Sequence, residues 1–133
     1  MKKFSAIVIL STAILAFVLS SCKNTLTPGT SQIVFPASGV SYNKQVQPLF
    51  NVECNYSGCH DAADAAGGLD LTSYISMIAS SPSPVITGDT THSILIEWVE
   101  SKIGPHDPPF VSILTPNQIQ GLKTWVLEGA KDN

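Results

Sequence analysis

Apolar residues along the chain fall into a few short stripes separated by small, hydroxylated and proline-marked stretches. Val46, Leu49 and Phe50, with Tyr42, recur at helical spacing and predict a first helix over Ser41 to Glu53, capped by Ser41 or Asn43. Pro48 removes an amide inside that span, so the helix is expected to begin late or bend there. A shorter helix is predicted from Thr72 or Ser73 through Met77 and Ile78. Another is predicted from a cap at Asp89 or Thr90 to near Lys102, with Ile94, Leu95, Trp98 and Val99 on its apolar side. Trp98 is assigned to packing between helices. The sharpest local signal is Thr115-Pro116-Asn117-Gln118: an N-cap, a proline at the first helical position and a capping-box glutamine. Ile119, Leu122, Val126 and Leu127 continue that helix as a buried stripe with Trp125, and Gly129 ends it. Gln32 to Phe35 reads as a short strand, limited by Pro36, or as a segment lying across the domain. The pattern as a whole predicts a small all-α domain.

The beginning of the chain changes this picture. Lys2 and Lys3 precede an apolar run from Phe4 to Leu19, the layout of a secretion signal, and shorter than a comfortable membrane span. Leu19-Ser20-Ser21-Cys22 resembles the lipobox of bacterial lipoproteins, which implies cleavage before Cys22 and its acylation. Several acyl chains on one residue hold a protein stably at a membrane surface. Lys23, rather than an aspartate, follows that cysteine and favours the outer membrane. Residues 1–21 are thus read as a signal peptide, 22–40 as a lipid-anchored tether rich in Ser, Thr, Pro and Gly, and 41–133 as one domain.

The full chain carries a formal charge of −3. Loss of Lys2 and Lys3 leaves five lysines against 10 acidic residues, and there is no arginine. Nucleic acid is excluded as a natural partner. A protein partner with a basic docking face fits this surface, and so does a solvated acidic surface that only maintains solubility. The expected location is the cell envelope, facing the periplasm or the surface.

Candidate chemistry is concentrated in Cys54-Asn55-Tyr56-Ser57-Gly58-Cys59-His60. Two thiols followed at once by an imidazole are what covalent haem attachment requires: two sulfurs to add across the vinyl groups, and a nitrogen for the iron. The usual spacing is C-x-x-C-H; here four residues separate the thiols. Gly58 makes the wider loop plausible, because glycine accepts backbone angles closed to other residues. No activated nucleophile, paired carboxylates or phosphate loop is present, so no catalytic residue is assigned and the protein is not read as an enzyme.

Further motifs stand in order behind the thiols, and with them the chain resembles class I c-type cytochromes. The resemblance is to a cytochrome c domain of planctomycete and Bacteroidetes-type envelope proteins. It is carried by Gly67-Gly68-Leu69-Asp70-Leu71, by Val85-Ile86-Thr87-Gly88-Asp89 with Thr87 where proline is common, and by Leu122-Lys123-Thr124-Trp125-Val126-Leu127-Glu128-Gly129-Ala130. It implies one haem c held by thioethers at Cys54 and Cys59, with His60 as the proximal iron ligand and Leu69 and Leu71 facing the haem. A lipid-anchored one-electron carrier working with redox protein partners follows. The family usually carries Met-Pro-Pro in the loop that supplies the sixth ligand. This chain has Asp107 at the methionine position, within Gly104-Pro105-His106-Asp107-Pro108-Pro109-Phe110. His106 is the candidate sixth ligand, since imidazole binds iron well; water or an open position are the alternatives, with His92 and Met77 in reserve. A second imidazole in place of a thioether lowers the expected potential, while an open iron would bind a small ligand.

Two readings without haem stand beside this one. Cys54 and Cys59 can close a disulfide in an oxidising envelope, leaving a binding or structural lipoprotein. Alternatively Cys54, Cys59, His92 and His106 can form a zinc site.

Overall fold

The computed structural model describes residues 33–104, 106 and 113–133. The signal segment, Cys22, most of the tether, Asp107 and the prolines of its loop lie outside the described residues. Among the described residues four α-helices follow one another: α1 Gln47–Glu53, α2 Tyr74–Ala79, α3 Ile94–Val99 and α4 Pro116–Leu127. Among the described residues there is no strand, only an isolated bridge between Ile86 and Asp89, so the all-α expectation holds. No described helix is long and apolar enough to cross a membrane.

The expected bend at Pro48 takes a specific form. Tyr42–Val46 winds as a π-helical turn in which the Gln47 N–H donates to the Tyr42 carbonyl, and α1 begins directly after it. Pro48 therefore falls in the first turn of α1, directly behind the widened turn. The opening donors all find partners. Ser41 Oγ accepts from the Lys44 N–H, while Asn133 accepts from Tyr42 through Oδ1 and from Asn43 through its backbone oxygen. Tyr42, Val46, Leu49 and Phe50 are all buried, as their spacing requires.

Ser73 caps α2 through the Ser76 N–H. By contrast, α3 starts later than its sequence suggests. Asp89 does not cap it; its Oδ1 accepts from the Thr91 and His92 N–H groups in a local turn. Gly88, at φ +79°, sits in the reversal from Ile86 to Asp89, and the fully buried Ser93 hydroxyl bonds both ends of that reversal. Polar side chains that bond nearby backbone compete in this way with helix formation.

Both halves of the predicted capping box form on α4: the Thr115 N–H donates to Gln118 Oε1 at 2.7 Å, and the Gln118 N–H donates to Thr115 Oγ1 at 3.3 Å. The buried face is Gln118, Gly121, Leu122, Trp125 and Val126. Leu127, expected in the stripe, is 57% exposed, and Ile119 is only partly buried.

Residues 33–36 make no strand, and 33–40 are not a free tether. Phe35 lies over Gly121, and its N–H and carbonyl pair with the Asn117 side-chain amide. Glu128 accepts from the Gly39 and Val40 N–H groups. Phe35 and Val40 are core residues, so the packed body starts earlier than Ser41. The short residue Gly121 makes this possible, because only a surface without a Cβ lets a phenyl ring reach the helix backbone. Tyr42, Tyr74 and Trp125 form an aromatic cluster joining the first, second and last helical segments, with Tyr42 5.2 Å from Tyr74 and 5.6 Å from Trp125 between ring centres.

Candidate functional site

α1 delivers Cys54 as its C-cap residue, the Cys54 N–H donating to the Phe50 carbonyl at 2.8 Å. The four-residue spacer then folds as a turn: the Cys59 N–H donates to the Tyr56 carbonyl, and Gly58 at φ +85° supplies the positive angle a type II turn needs at its third position. Asp64 Oδ2 accepts from the Gly58 N–H at 2.6 Å and holds the bight from outside. The His60 N–H donates to the Cys54 carbonyl at 3.1 Å. The two extra residues are thus absorbed in a closed loop, and Cys54, Cys59 and His60 face one space.

That space is a cavity of about 380 Å³, inside the usual range for cofactor and ligand sites. Leu49 and Phe50 of α1, Leu95, Trp98 and Val99 of α3, and Leu122 of α4 bound it, with Leu69 and Leu71 between. Cys54, Cys59, His60 and His106 are the side chains with metal- or thioether-forming chemistry in its lining.

His60 is oriented by the Gly-Gly-Leu-Asp-Leu segment. The glycines, at φ +66° and +78°, reverse the chain; the Leu71 N–H then donates to the His60 carbonyl at 2.9 Å, and His60 Nδ1 lies 3.2 Å from the Leu69 carbonyl. A carbonyl only accepts, so Nδ1 carries the hydrogen and the lone pair is on Nε2. This is how ligating histidines are held by an outer partner. Burial, reinforced by the nearby His106, pushes the His60 pKa below its ordinary value and favours the neutral, ligating ring, although the Leu69 bond works in the opposite sense. Burial pushes the Cys54 thiol up to about 12, with the Glu53 and Cys59 charges adding to the effect, so this sulfur is held as a thiol. Both cysteines are free thiols, Cys54 buried and Cys59 half-buried.

The site gathers His106 with His60, ring centres 5.9 Å apart. It does not gather the reserves. Met77 is fully buried and does not line the cavity, and His92 is exposed and paired with Asp89 at 2.7 Å. Of the four residues of the alternative zinc reading, Cys54, Cys59 and His106 line the cavity and His92 does not; among the described residues no group of three or more His, Cys, Asp or Glu side chains is arranged for a metal ion. Two features escaped the sequence reading: the Leu69 carbonyl as the partner of His60, and Trp98 as a cavity wall. For the first the only signal was the Gly-Gly pair, which marks a reversal bringing Leu69 back to His60.

The donor set and its surroundings suit a covalently held haem: two thiols and an oriented imidazole on one closed loop, opening into an apolar cavity between the first and last helices. No family model, curated protein or solved structure matches this chain.

Proposed function

We infer that the protein is a monohaem c-type cytochrome, anchored through Cys22 at a membrane of the cell envelope, that carries single electrons between redox proteins. The observation that carries this reading is the shared cavity, in which Cys54, Cys59 and a His60 with its Nδ1 committed to Leu69 meet apolar walls. Bound haem would supply an iron that cycles between Fe(II) and Fe(III).

The chain's own residues do the rest. Cys54 and Cys59 would hold the group through thioethers, each sulfur gaining a C–S bond to a vinyl carbon while its hydrogen goes to the neighbouring carbon, so no oxidant would be consumed. His60 would bind the iron through Nε2, its ring held by the Leu69 carbonyl. Leu49, Phe50, Leu69, Leu71 and Leu122 exclude water, which limits reorganisation when charge changes. The acidic surface, five lysines against 10 carboxylates after export, favours donors or acceptors with a basic face.

The test is expression with a cytochrome c maturation system, followed by denaturation, a pyridine haemochrome spectrum and intact mass. The expected result is one haem retained per chain, lost stepwise as Cys54→Ala and Cys59→Ala are combined. A colourless product whose mass shows the two sulfurs joined to each other refutes the reading.

A further inference from the structure

His106 shares the cavity with His60, their ring centres 5.9 Å apart and their planes inclined by 36°. Two imidazoles that share one metal ion through bonds of about 2 Å stand with ring centres roughly 6 Å apart. The separation is compatible with two imidazoles facing each other across one ion. His106 has a defined support as well. The Trp98 ring meets it edge-on, centres 5.4 Å apart at 71°.

Trp98 is itself held in place by the chain that leads to His106. The Ser101 N–H donates to the Trp98 carbonyl at 2.9 Å, and the Lys102 N–H donates to the Glu97 carbonyl at 2.8 Å. Ser101 at φ +56° and Gly104 at φ +37° then turn the backbone back over the indole. A Cβ at Gly104 would stand 3.2 Å from Trp98 Cη2, so the backbone rests directly on the ring. A ligand carried on a loop gains from a support of this kind, because its rotamer is set before the metal arrives.

We propose that His106 is the second axial ligand of the haem iron and that Trp98, seated against Gly104, is the residue that positions it. The proposal rests on the haem reading above and extends it to the sixth position. The remaining histidine, His92, is exposed and bound to Asp89, and Met77 is enclosed in the core away from the cavity.

The matured holoprotein tests it. Wild-type ferric protein is expected to be low-spin with a two-imidazole magnetic-resonance signature, and the reduced form to take up carbon monoxide slowly. His106→Ala is expected to become high-spin and bind carbon monoxide at least tenfold faster, with added imidazole restoring the low-spin spectrum. If that variant does not accumulate, His106→Gln is read in the same way. Trp98→Leu is expected to keep covalent haem and the low-spin state but to bind carbon monoxide several-fold faster, as its histidine detaches more often; Trp98→Phe, which preserves an aromatic edge, stays near wild type. A low-spin spectrum and carbon monoxide rate unchanged in His106→Ala remove His106, and an unchanged rate in Trp98→Leu removes the positioning role. Absence of covalent haem from the wild type overturns the cytochrome reading itself, a result distinct from both.

Discussion

Gly58 and Gly121 show how one substitution can act through two different physical causes. At Gly58 an added Cβ meets nothing within 4 Å, so Gly58→Ala is opposed only by the left-handed backbone, at φ +85°. A cost of about 1–2 kcal/mol is expected. At Gly121 the backbone is helical, but a Cβ would lie 2.1 Å from Phe35 Cγ. Gly121→Ala must push the phenyl ring off α4, and a loss of about 2–3 kcal/mol is expected from overpacking. Urea midpoints separate the two: the Gly121→Ala loss should vanish in a Phe35→Ala background, whereas the Gly58→Ala loss should persist there. Glu100 carries a pH dependence. Lys102 at 2.5 Å and Lys123 at 2.6 Å hold its carboxyl below the usual range. The folded pKa lies under the unfolded one, so the stabilisation is present above the ordinary glutamate value and is lost as pH falls through the folded value. Glu100→Gln should lower stability by about 0.5 kcal/mol at neutral pH, and the gap to wild type should close when unfolding is repeated below the folded pKa.

At the level of elements, the sequence was most informative where a signal is complete within a few residues. Thr115 to Gln118 specified its cap, proline position and capping box without help from the rest of the chain. Thr115→Ala should cost about 1 kcal/mol. Gln118→Ala should cost more, because Gln118 is fully buried and its Nε2 also donates to the Ile33 carbonyl at 3.2 Å. Thermal melts of the two variants check the order. That second role was not legible, since it depends on a segment 85 positions away. The start of α3 departs from its local pattern: Asp89 and Thr90 have the chemistry of caps, but Gly88 and Ser93 build a tighter reversal that takes Asp89 for itself. The π-helical opening before α1 was legible only as a disturbance at Pro48, because hydrophobic spacing does not distinguish a widened turn from an ordinary one.

For the whole molecule, the thiols and His60 could be read directly because they are contiguous. The cavity around them could not, because it is assembled from α1, α3, α4 and the Leu69 to Leu71 segment. Composition misled at the amino-terminal edge: Ser, Pro and Gly around residues 28–39 suggested a linker, yet Phe35 and Val40 are 3% and 2% exposed. A chain begun at Ser41 should therefore be less stable than one begun at Ile33 by about 3–6 kcal/mol, the burial of two large apolar side chains. Equal denaturant midpoints would show that this docking is dispensable. The same long-range closure governs the helix that precedes the thiols. Its first donors are met by Asn133, a residue 91 positions from Tyr42. An emerging polypeptide releases Cys54 and Cys59 long before the partner that completes this turn, and joining distant ends is a slow, late event. Under the proposed haem attachment, the two sulfurs would thereby stay accessible to the attaching machinery until final compaction.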